Sequence, residues 1–344
     1  MKKALLIGIN YFDQKGELNG CINDIVDMKK LCIQLGYNEI ILMHDQKKLT
    51  PETDSISDTN IPFPLFPNKK NILSALKWII SGLKTNDILL IHYSGHGTQS
   101  ISKTEIDGNN EALVPVDYTY NGIILDDELR NIIVQPNLNK TIKIRCILDC
   151  CHSGTGLDLK YNLKLPVLRN ISKQMKLNDM INKMVKEQVR RELSKYLDKD
   201  IVEKYMDDKE TNESTESTES TESTESTEST EIELIEWENN GEEKMIKESE
   251  FNNRATEQKK FDIMMLSGCE DTQTSADASF ENKPNGALTK TFLEIYQNYI
   301  NLNKVSNVLT FLTELRKNIK INKFTQIPQL SSENIFTSLS KFDL

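Results

Sequence analysis

The stretch IKIRCILDCCHSG, residues 142–154, decides the fold. Its first seven residues are mostly apolar and β-branched, which is typical of a strand buried inside a sheet. The strand stops at Asp149, because the small and polar residues 150–154 cannot continue a core strand. A thiol at the carboxyl end of a buried strand stands on a rigid base and faces the crevice in which open α/β sheets bind ligands.

A second predicted strand, residues 87–93, ends in the same way, in the sequence SGHG at residues 94–97. Neighbouring parallel strands end at the same edge of a sheet, so we expect Cys151 and His96 to meet there. A thiol beside an imidazole is a nucleophile with its base. The backbone N–H groups of Gly97 and Cys151 are candidate donors to an oxyanion.

Strands and helices alternate along most of the chain, which predicts an α/β fold: a doubly wound, mostly parallel sheet with helices on both faces. Polar loops are expected at residues 50–69 and 98–110. The predicted strands are 4–9, 40–43, 87–93, 112–116, 123–125, 142–148 and 261–266, and the predicted helices end at Gly36 or span 71–83, 126–134, 286–300 and 305–319.

The pattern changes after about residue 165. Residues 170–206 form a predicted helical stretch rich in Lys and Arg, and a Ser-Thr-Glu repeat fills residues 214–231. Such an acidic low-complexity tract cannot bury enough apolar surface to fold, so we expect it to be disordered. We therefore predict one catalytic domain made of residues 1–165 and 260–344, interrupted by an inserted linker at 166–259.

Composition narrows the class of protein. The chain has 344 residues and a net charge of −10, which argues against a general nucleic-acid binder and suits a cationic substrate. No apolar run approaches the ~18–20 residues that cross a bilayer, and no signal peptide is recognisable, so we expect a cytoplasmic protein without a membrane partner. The six scattered cysteines indicate core residues and a reactive site, not a disulfide framework.

Two other interpretations of the Cys and His residues remain open at this point. Both could be ordinary core residues, although a core strand needs no Gly-His-Gly at its end. A metal site is the second alternative, although adjacent cysteines lack the usual ligand spacing. The candidate ligands for such a site are His92, His96, Cys150, Cys151 and His152.

Four separated motifs resemble those of type I metacaspases, relatives of the caspases: GCIND at 20–24, HYSGHG at 92–97, DCCHSG at 149–154 and SGCEDTQTSAD at 267–277. The resemblance covers about residues 3–165 and 260–335. It implies a caspase-like fold with large-subunit-like and small-subunit-like parts, and a monomeric cysteine endopeptidase that cleaves proteins or peptides after Arg or Lys. By motif position it makes His96 and Cys151 catalytic and Cys150 a variable neighbour.

The resemblance also implies a substrate pocket lined by Cys21, Asp24, Ser94 and Asp149. A pocket for a guanidinium or ammonium group needs carboxylates, because an unpaired buried charge is very costly. Taken alone, Asp24 is equally an acid favoured at a helix N-terminus, and Asp149 a turn former at a strand end. A caspase specific for Asp needs arginines in this pocket, and none occurs in the four motifs.

Calcium is the cofactor that the resemblance implies. The family's calcium-binding acids fall on Asp126, Asp127 and Asp158, and Asn110 replaces a fourth carboxylate with an amide. Calcium prefers oxygen ligands, several of them charged. The alternative is that Asp126 and Asp127 only cap a helix and favour its dipole.

The insertion suggests self-processing. Lys164, Arg169, Arg190 and Arg191 lie in a Lys- and Arg-rich segment beside an enzyme expected to cut after those residues, so we expect maturation cuts within 160–210. Two rival functions remain: an Asp-specific caspase-type protease, and a non-catalytic scaffold on the same fold. The scaffold is disfavoured because both His96 and Cys151 are present.

Overall fold

Apolar runs of the sequence become the buried strands of a central sheet in the computed structural model of the chain. The structure describes residues 1–48, 50–58, 60–101, 109–151, 153–154, 156–164, 233–237, 243–247, 261–269, 277–280, 283–302, 306–337 and 340–344. The predicted basic helix at 170–206 and the Ser-Thr-Glu repeat lie outside these residues.

The strands are β1 (Lys2–Gly8), β2 (Glu39–His44), β3 (Ile88–Ser94), β4 (Gly97–Ile101), β5 (Asn109–Leu113), β6 (Ile124–Leu125), β7 (Ile142–Asp149), β8 (Tyr161–Lys164), β9 (Glu233–Trp237), β10 (Glu243–Lys247), β11 (Phe261–Ser267), β12 (Asp277–Phe280), β13 (Lys283–Gly286) and β14 (Gln329–Ser332). The helices are α1 (Cys21–Gln34), α2 (Lys69–Ser81), α3 (Tyr118–Asn121), α4 (Asp126–Ile133), α5 (Ala287–Asn301) and α6 (Val308–Ile321), and a 3₁₀ turn spans Gln135–Asn137.

Within the described residues the main sheet has nine strands in the order β10-β9-β8-β14-β11-β7-β3-β1-β2. The strands from β11 to β2 pair in parallel, and the remaining strands join antiparallel to one side. β3 and β7 are neighbours whose last residues, Ser94 and Asp149, are in register. The segments after these two strands therefore start at the same edge of the sheet.

Helices cover both faces of the parallel strands, as the sequence predicts. Alternate residues of β1 point to opposite faces: Ala4 and Leu6 pack with residues of α1, α5 and α6, whereas Leu5 and Ile7 pack with residues of α2 and α4. A parallel sheet buried on both faces needs continuous apolar strands, which is why these strands are recognisable in the sequence. The caspase-like doubly wound α/β fold is confirmed.

Two regions differ from the sequence prediction. Within the expected polar loop at 98–110, residues 98–101 and 109–110 are strand residues, because β4 and β5 form an antiparallel pair outside the main sheet. Its cross-strand contact joins two polar side chains, Gln99 and Glu111, at 3.1 Å, so no apolar alternation marked it as a strand. Within the predicted linker, β9 and β10 pair with each other, and β9 extends the sheet from β8. The sequence NG at 240–241 between them is a hairpin signal that the charged composition obscured.

Among the described residues, no helix combines the length and the apolar character that crossing a bilayer requires.

Candidate active site

The loops that follow β3 and β7 touch each other. A Cβ atom built on Gly97 would lie 2.0 Å from the backbone oxygen of Cys151 and 3.2 Å from Sγ of Cys150. Only a glycine permits this approach, because real Cβ atoms do not come closer than 3.0 Å to such neighbours. The close contact sets the backbone of residues 96 and 97 directly against Cys151.

The adjacent cysteines have different surroundings. Cys150 is only 1% exposed, and burial, followed by the neighbouring Cys269 and Cys151, raises the pKa of its thiol well above the ordinary value. Cys151 is partly exposed at the end of the strand. Since the thiolate is the attacking species, the second cysteine is the better placed nucleophile of the two.

The loop after β1 holds the imidazole of His96. Nε2 of His96 lies 2.6 Å from the carbonyl oxygen of Gly16. A carbonyl only accepts hydrogen bonds, so Nε2 carries the proton and Nδ1 is the basic nitrogen of the neutral ring. This arrangement leaves Nδ1 unprotonated, which is the state that a general base requires.

Tyr11 supports the same histidine from a second side. Its ring packs on the imidazole with centroids 4.6 Å apart, and its hydroxyl accepts the backbone N–H of His96 at 2.9 Å. The hydroxyl in turn donates to the backbone oxygen of Val114 at 2.6 Å. Tyr11 has φ of 55°, a left-handed conformation that is uncommon for a bulky residue. Such strain is stored where surrounding contacts fix it, often at functional sites.

The predicted pocket residues Asp24, Ser94 and Asp149 lie together. Asp24 is 0% exposed, and its carboxylate accepts the Ser94 hydroxyl at 2.7 Å, the Asn285 amide at 2.9 Å and the backbone N–H of Gly286 at 3.0 Å. Burial, and then the charge of Asp149, raises the pKa of Asp24 to about 7. Cys21, three residues before Asp24, is buried at the start of α1. Its backbone N–H donates to Asn10 Oδ1 at 3.1 Å.

Asp149 is held by the beginning of α5. Its Oδ2 atom accepts both the backbone N–H and the hydroxyl of Thr289, each at 2.8 Å. A Cβ atom on Gly286 would lie 2.2 Å from Asp149 Oδ2 and 2.9 Å from Asp24 Oδ2, so the glycine separates the two acids and leaves no room for a side chain. The result is a pair of neighbouring carboxylates, of which Asp149 is 5% exposed and Asp24 lies behind it.

The residues predicted to bind calcium lie around β5 and the start of α4. Asp126 is buried and accepts the backbone N–H groups of Glu111 at 2.7 Å and Asp127 at 2.8 Å. Burial, and then the neighbouring Asp158, raises the pKa of Asp126 to about 8. Asn110 Oδ1 is buried without a hydrogen-bond partner among the described residues. Asp127 is exposed.

The alternative metal site finds no support in the described part of the chain, where no three His, Cys, Asp or Glu side chains are grouped to hold a metal ion. His92 Nε2 instead contacts the hydroxyl of Thr289 at 3.0 Å. His152 lies outside the described residues.

Sequence reasoning missed Tyr11, Gly16, Asn285 and Thr289. Each acts on a residue far away in the chain, for example Thr289 on Asp149, 140 positions earlier. The sequence KPNGALT at 283–289 indicated only a helix start, and NYFDQKG at 10–16 only a loop after a strand. A glycine such as Gly16 indicates a turn, in agreement with its φ of 87°, but nothing in the sequence indicates that its carbonyl contacts His96.

Comparisons with known proteins agree with this geometry. A family model described as metacaspase, peptidase C14 domain, matches residues 2–160. The chain is 34% identical over 339 residues to Metacaspase-1 of Schizosaccharomyces pombe, covering 96% of this chain and 67% of that protein. It is 32% identical over 345 residues to Metacaspase-1 of Mycosarcoma maydis, covering 97% and 70%.

A third relative, Metacaspase-1 of Eremothecium gossypii, is 33% identical over 342 residues, covering 96% of this chain and 63% of that protein. The chain thus spans about two thirds of the length of these relatives, and nearly all of it is matched. With these matches, and with a thiol and an imidazole at adjoining strand ends, the chain belongs to the type I metacaspases, a family of cysteine-type endopeptidases.

Proposed function

We propose that the protein is a calcium-assisted cysteine endopeptidase that cleaves proteins and peptides after Arg or Lys and processes itself within its linker. We further propose that it works as a cytoplasmic monomer without nucleic-acid or membrane partners. The observation that carries the substrate preference is the pair of buried carboxylates, Asp24 and Asp149, beside the candidate nucleophile Cys151.

Cys151 and His96 perform the chemistry. The thiol proton passes to Nδ1 of His96, and the sulfur attacks the carbonyl carbon of the scissile bond. The N–H groups of Gly97 and Cys151 donate to the resulting oxyanion. His96 then gives its proton to the departing amine, which leaves a thioester at Cys151. Water, deprotonated by His96, attacks the thioester and releases the acid product together with the free thiol.

Gly16 supports this cycle because its carbonyl oxygen, 2.6 Å from Nε2, keeps the imidazole in one tautomer. It also accepts from Nε2–H while the ring carries a second proton at Nδ1, so the imidazolium form retains its orientation. The partner of the catalytic histidine is therefore a backbone atom, not a carboxylate.

The surroundings of the acid pair favour a cationic substrate group. A guanidinium or ammonium group placed against Asp149 gains charge-assisted hydrogen bonds in a region shielded from water. The described arginines are engaged elsewhere: Arg130 pairs with Glu333, Arg145 with Asp262 and Asp343, and Arg316 donates to the backbone of Pro328. An Asp-specific pocket has no described arginine to use.

The direct test compares fluorogenic peptides that differ only in the residue before the cleaved bond: Arg, Lys, Asp and the neutral arginine isostere citrulline. We expect cleavage of the Arg and Lys peptides, with Cys151→Ala abolishing it and Cys150→Ala preserving it. Preferential cleavage of the Asp peptide would establish the caspase-type alternative. Full activity of Cys151→Ala would exclude the proposed nucleophile.

Calcium suits only part of the predicted ligand set, because among the described residues no three acidic side chains are grouped around one point. Two neighbouring carboxylates, Asp126 and Asp158, and the unpartnered amide oxygen of Asn110 offer the hard oxygen atoms that Ca²⁺ prefers. Asp127 adds a further carboxylate only if its exposed side chain turns toward them. When bound, the ion would supply positive charge between acids that otherwise repel each other.

The calcium proposal is tested by thermal unfolding and by peptide cleavage, each with Ca²⁺ and with a chelator. We expect Ca²⁺ to raise both the Tm and the activity, and Asp126→Asn to abolish both effects. Asp13→Asn, which removes an exposed acid paired with Lys47, is the matched control and should respond like the wild type. An unchanged response in Asp126→Asn would place the ion elsewhere.

Self-processing has candidate positions at Lys164, at the end of β8, and at Arg169, Arg190 and Arg191, which lie outside the described residues. Incubating the active enzyme with Ca²⁺ and determining the fragment masses should locate cuts within 160–210. Cys151→Ala should stay intact. An intact wild-type chain under conditions that cleave a peptide would rule out this part of the proposal.

A further inference from the structure

His92 is a buried histidine that the proposed catalytic cycle does not use. It is 0% exposed in β3, on the strand that delivers His96. Its Nε2 atom contacts the hydroxyl of Thr289 at 3.0 Å, and its Nδ1 atom has no hydrogen-bond partner among the described residues. Buried polar groups are normally hydrogen-bonded, so the contact with Thr289 is the one described interaction that satisfies this ring.

Thr289 links that histidine to Asp149. Its hydroxyl has one proton, which goes to Asp149 Oδ2 at 2.8 Å because a carboxylate only accepts. The contact with His92 therefore has the imidazole N–H donating and the hydroxyl oxygen accepting. All donors of this set point the same way, from His92 to Thr289 to the Asp149 carboxylate. We call these three residues the Asp149 relay.

The relay adds donors to Asp149 without adding charge. Burial lowers the pKa of His92 to about 3, so the ring is neutral at working pH. The backbone N–H of Thr289 donates to the same oxygen, at the positive end of α5. Hydrogen bonds that end on a carboxylate favour its ionised form, and a hydroxyl that itself accepts a hydrogen bond donates more strongly.

The relay acts on Asp149 and not on Asp24, because the two acids have different hydrogen-bond partners. Gly286 and its neighbour Asn285 hold Asp24 separately, so Asp24 does not share the Thr289 hydroxyl. Asp149 is the more exposed of the two acids and the one that directly precedes the cysteine pair. The orientation of its carboxylate thus determines which hydrogen bonds it can accept from a cationic substrate group bound beside Cys151.

We propose that Thr289, supported by His92, is a specificity-determining positioning residue that holds the Asp149 carboxylate in the orientation in which it binds a basic substrate side chain. The inference rests on the proposed preference for Arg or Lys and deepens it. Neither residue touches the scissile bond, so their loss should weaken recognition of charge and spare the chemistry of bond cleavage.

The test measures kcat and KM for Arg and citrulline peptides with the full chain. Thr289→Val keeps the shape of the side chain and removes its hydroxyl. We expect kcat/KM for the Arg peptide to fall on the order of tenfold, mainly through KM, since a hydrogen bond to a charged group is removed. The citrulline peptide should change little. Thr289→Ser should restore the Arg preference.

Thr291→Val is the matched control. Thr291 is equally buried on the same helix, and its hydroxyl donates to the backbone oxygen of Ala287 at 2.8 Å, away from the acids. Its loss should leave the ratio of Arg to citrulline activity unchanged. Equal losses for both peptides in Thr289→Val would show a merely structural role and overturn the proposal.

His92 provides a second test if Thr289→Val does not fold. His92→Gln retains an N–H donor toward Thr289, whereas His92→Leu does not, so the Arg preference should fall further in His92→Leu. Identical preferences in these two variants would contradict the relay. A wild-type enzyme that does not distinguish Arg from citrulline would instead overturn the proposed substrate preference, and the inference with it, so the two failures are distinguishable.

Discussion

His96 is held on three sides at the scale of single residues. Gly16 fixes Nε2, the Tyr11 ring packs on the imidazole, and the Tyr11 hydroxyl accepts the backbone N–H. The sequence predicts His96 itself, because a Gly-His-Gly at a strand end has no use in a core. It does not predict the supporting residues, because nothing local in Tyr11 or Gly16 indicates a partner 80 or more positions away.

Removing the Tyr11 hydroxyl should slow the reaction. In Tyr11→Phe the ring contact stays and the acceptor for the His96 N–H is lost, so the imidazole is less well placed for both proton transfers. We expect kcat to fall by about tenfold with a smaller change in KM, because positioning of a proton-transfer group acts on the chemical step.

Tyr296→Phe is the control for that substitution. The Tyr296 hydroxyl also accepts a backbone N–H, that of Leu344 at 2.8 Å, on a different part of the molecule. Its loss should change Tm to a similar extent and leave kcat unchanged. An equal effect of the two substitutions on kcat would refute a specific role for Tyr11.

Asp24 should make the preference for basic residues depend on pH. Since burial and Asp149 raise its pKa to about 7, Asp24 becomes ionised as pH rises through neutrality. The ratio of kcat/KM for Arg and citrulline peptides should therefore increase between pH 6 and pH 8, and the ratio cancels titration of the catalytic pair. Asp24→Asn should give a lower ratio that does not vary with pH; a flat wild-type ratio would contradict the assignment.

The raised pKa of Asp24 also makes the free energy of unfolding depend on pH. The folded pKa of Asp24 lies above its ordinary value of 3.8, so the folded state binds more protons than the unfolded state between about pH 4 and pH 7. The contribution of Asp24 to the free energy of unfolding thus decreases as pH rises through that window. The Tm of Asp24→Asn relative to wild type should rise across it, and a constant difference would argue against the shift.

At the scale of elements, the sheet was predictable where strands are apolar on both faces. β1, β3, β7 and β11 are continuous apolar runs, and their parallel order follows from the alternation with helices. The predicted strand at 112–116 includes only the apolar end of β5, and β4 was not predicted, because its residues are mostly polar. The same holds for β9 and β10, whose short apolar pairs are diluted by charge.

The contact between the ends of β3 and β7 gives a prediction for Gly97. A methyl group there would meet the backbone oxygen of Cys151 at 2.0 Å, so the two loops must separate by about an ångström merely to reach 3.0 Å, the shortest distance that real Cβ atoms show. A misplacement of about 1 Å in an active site can cost on the order of 10²-fold in rate. We expect Gly97→Ala to lose activity on that scale.

Gly82→Ala is the corresponding control at the end of α2. Its nearest atom would be the flexible end of Lys3 at 3.3 Å, and its φ of −83° suits any residue. Circular dichroism should show both variants folded, with activity retained in Gly82→Ala. Near-normal activity of Gly97→Ala would mean that the loops do not need this contact.

At the scale of the whole molecule, residues from both sides of the insertion build one sheet and one site. β7 pairs along its length with β11. The Asn285 amide donates a hydrogen bond to Asp24, and the Thr289 backbone N–H donates one to Asp149. One of the two hydrophobic clusters contains residues of α1 together with residues of α5 and α6. The proposed pocket therefore requires both parts of the chain.

A cut between them should leave the protein assembled. Limited trypsin treatment of Cys151→Ala, which cannot process itself, should yield fragments from either side of 165–232 that coelute at the position of the intact protein in size-exclusion chromatography. Urea should separate them. Separate elution under native conditions would contradict a shared sheet.

The nucleophile and the substrate preference are tested most directly by mass spectrometry of the enzyme after reaction with a peptidyl acyloxymethyl ketone ending in Arg. Such a reagent alkylates the attacking thiolate: a bond forms between sulfur and the methylene carbon, and the acyloxy group leaves as a carboxylate. The site of the added mass therefore identifies the nucleophile, and the reagent that reacts identifies the accepted side chain. We predict one adduct, located by fragmentation on Cys151 and not on Cys150, and no adduct with the His96→Ala variant or with a reagent ending in Asp. Labelling of Cys150, or equal labelling by the two reagents, would contradict the account.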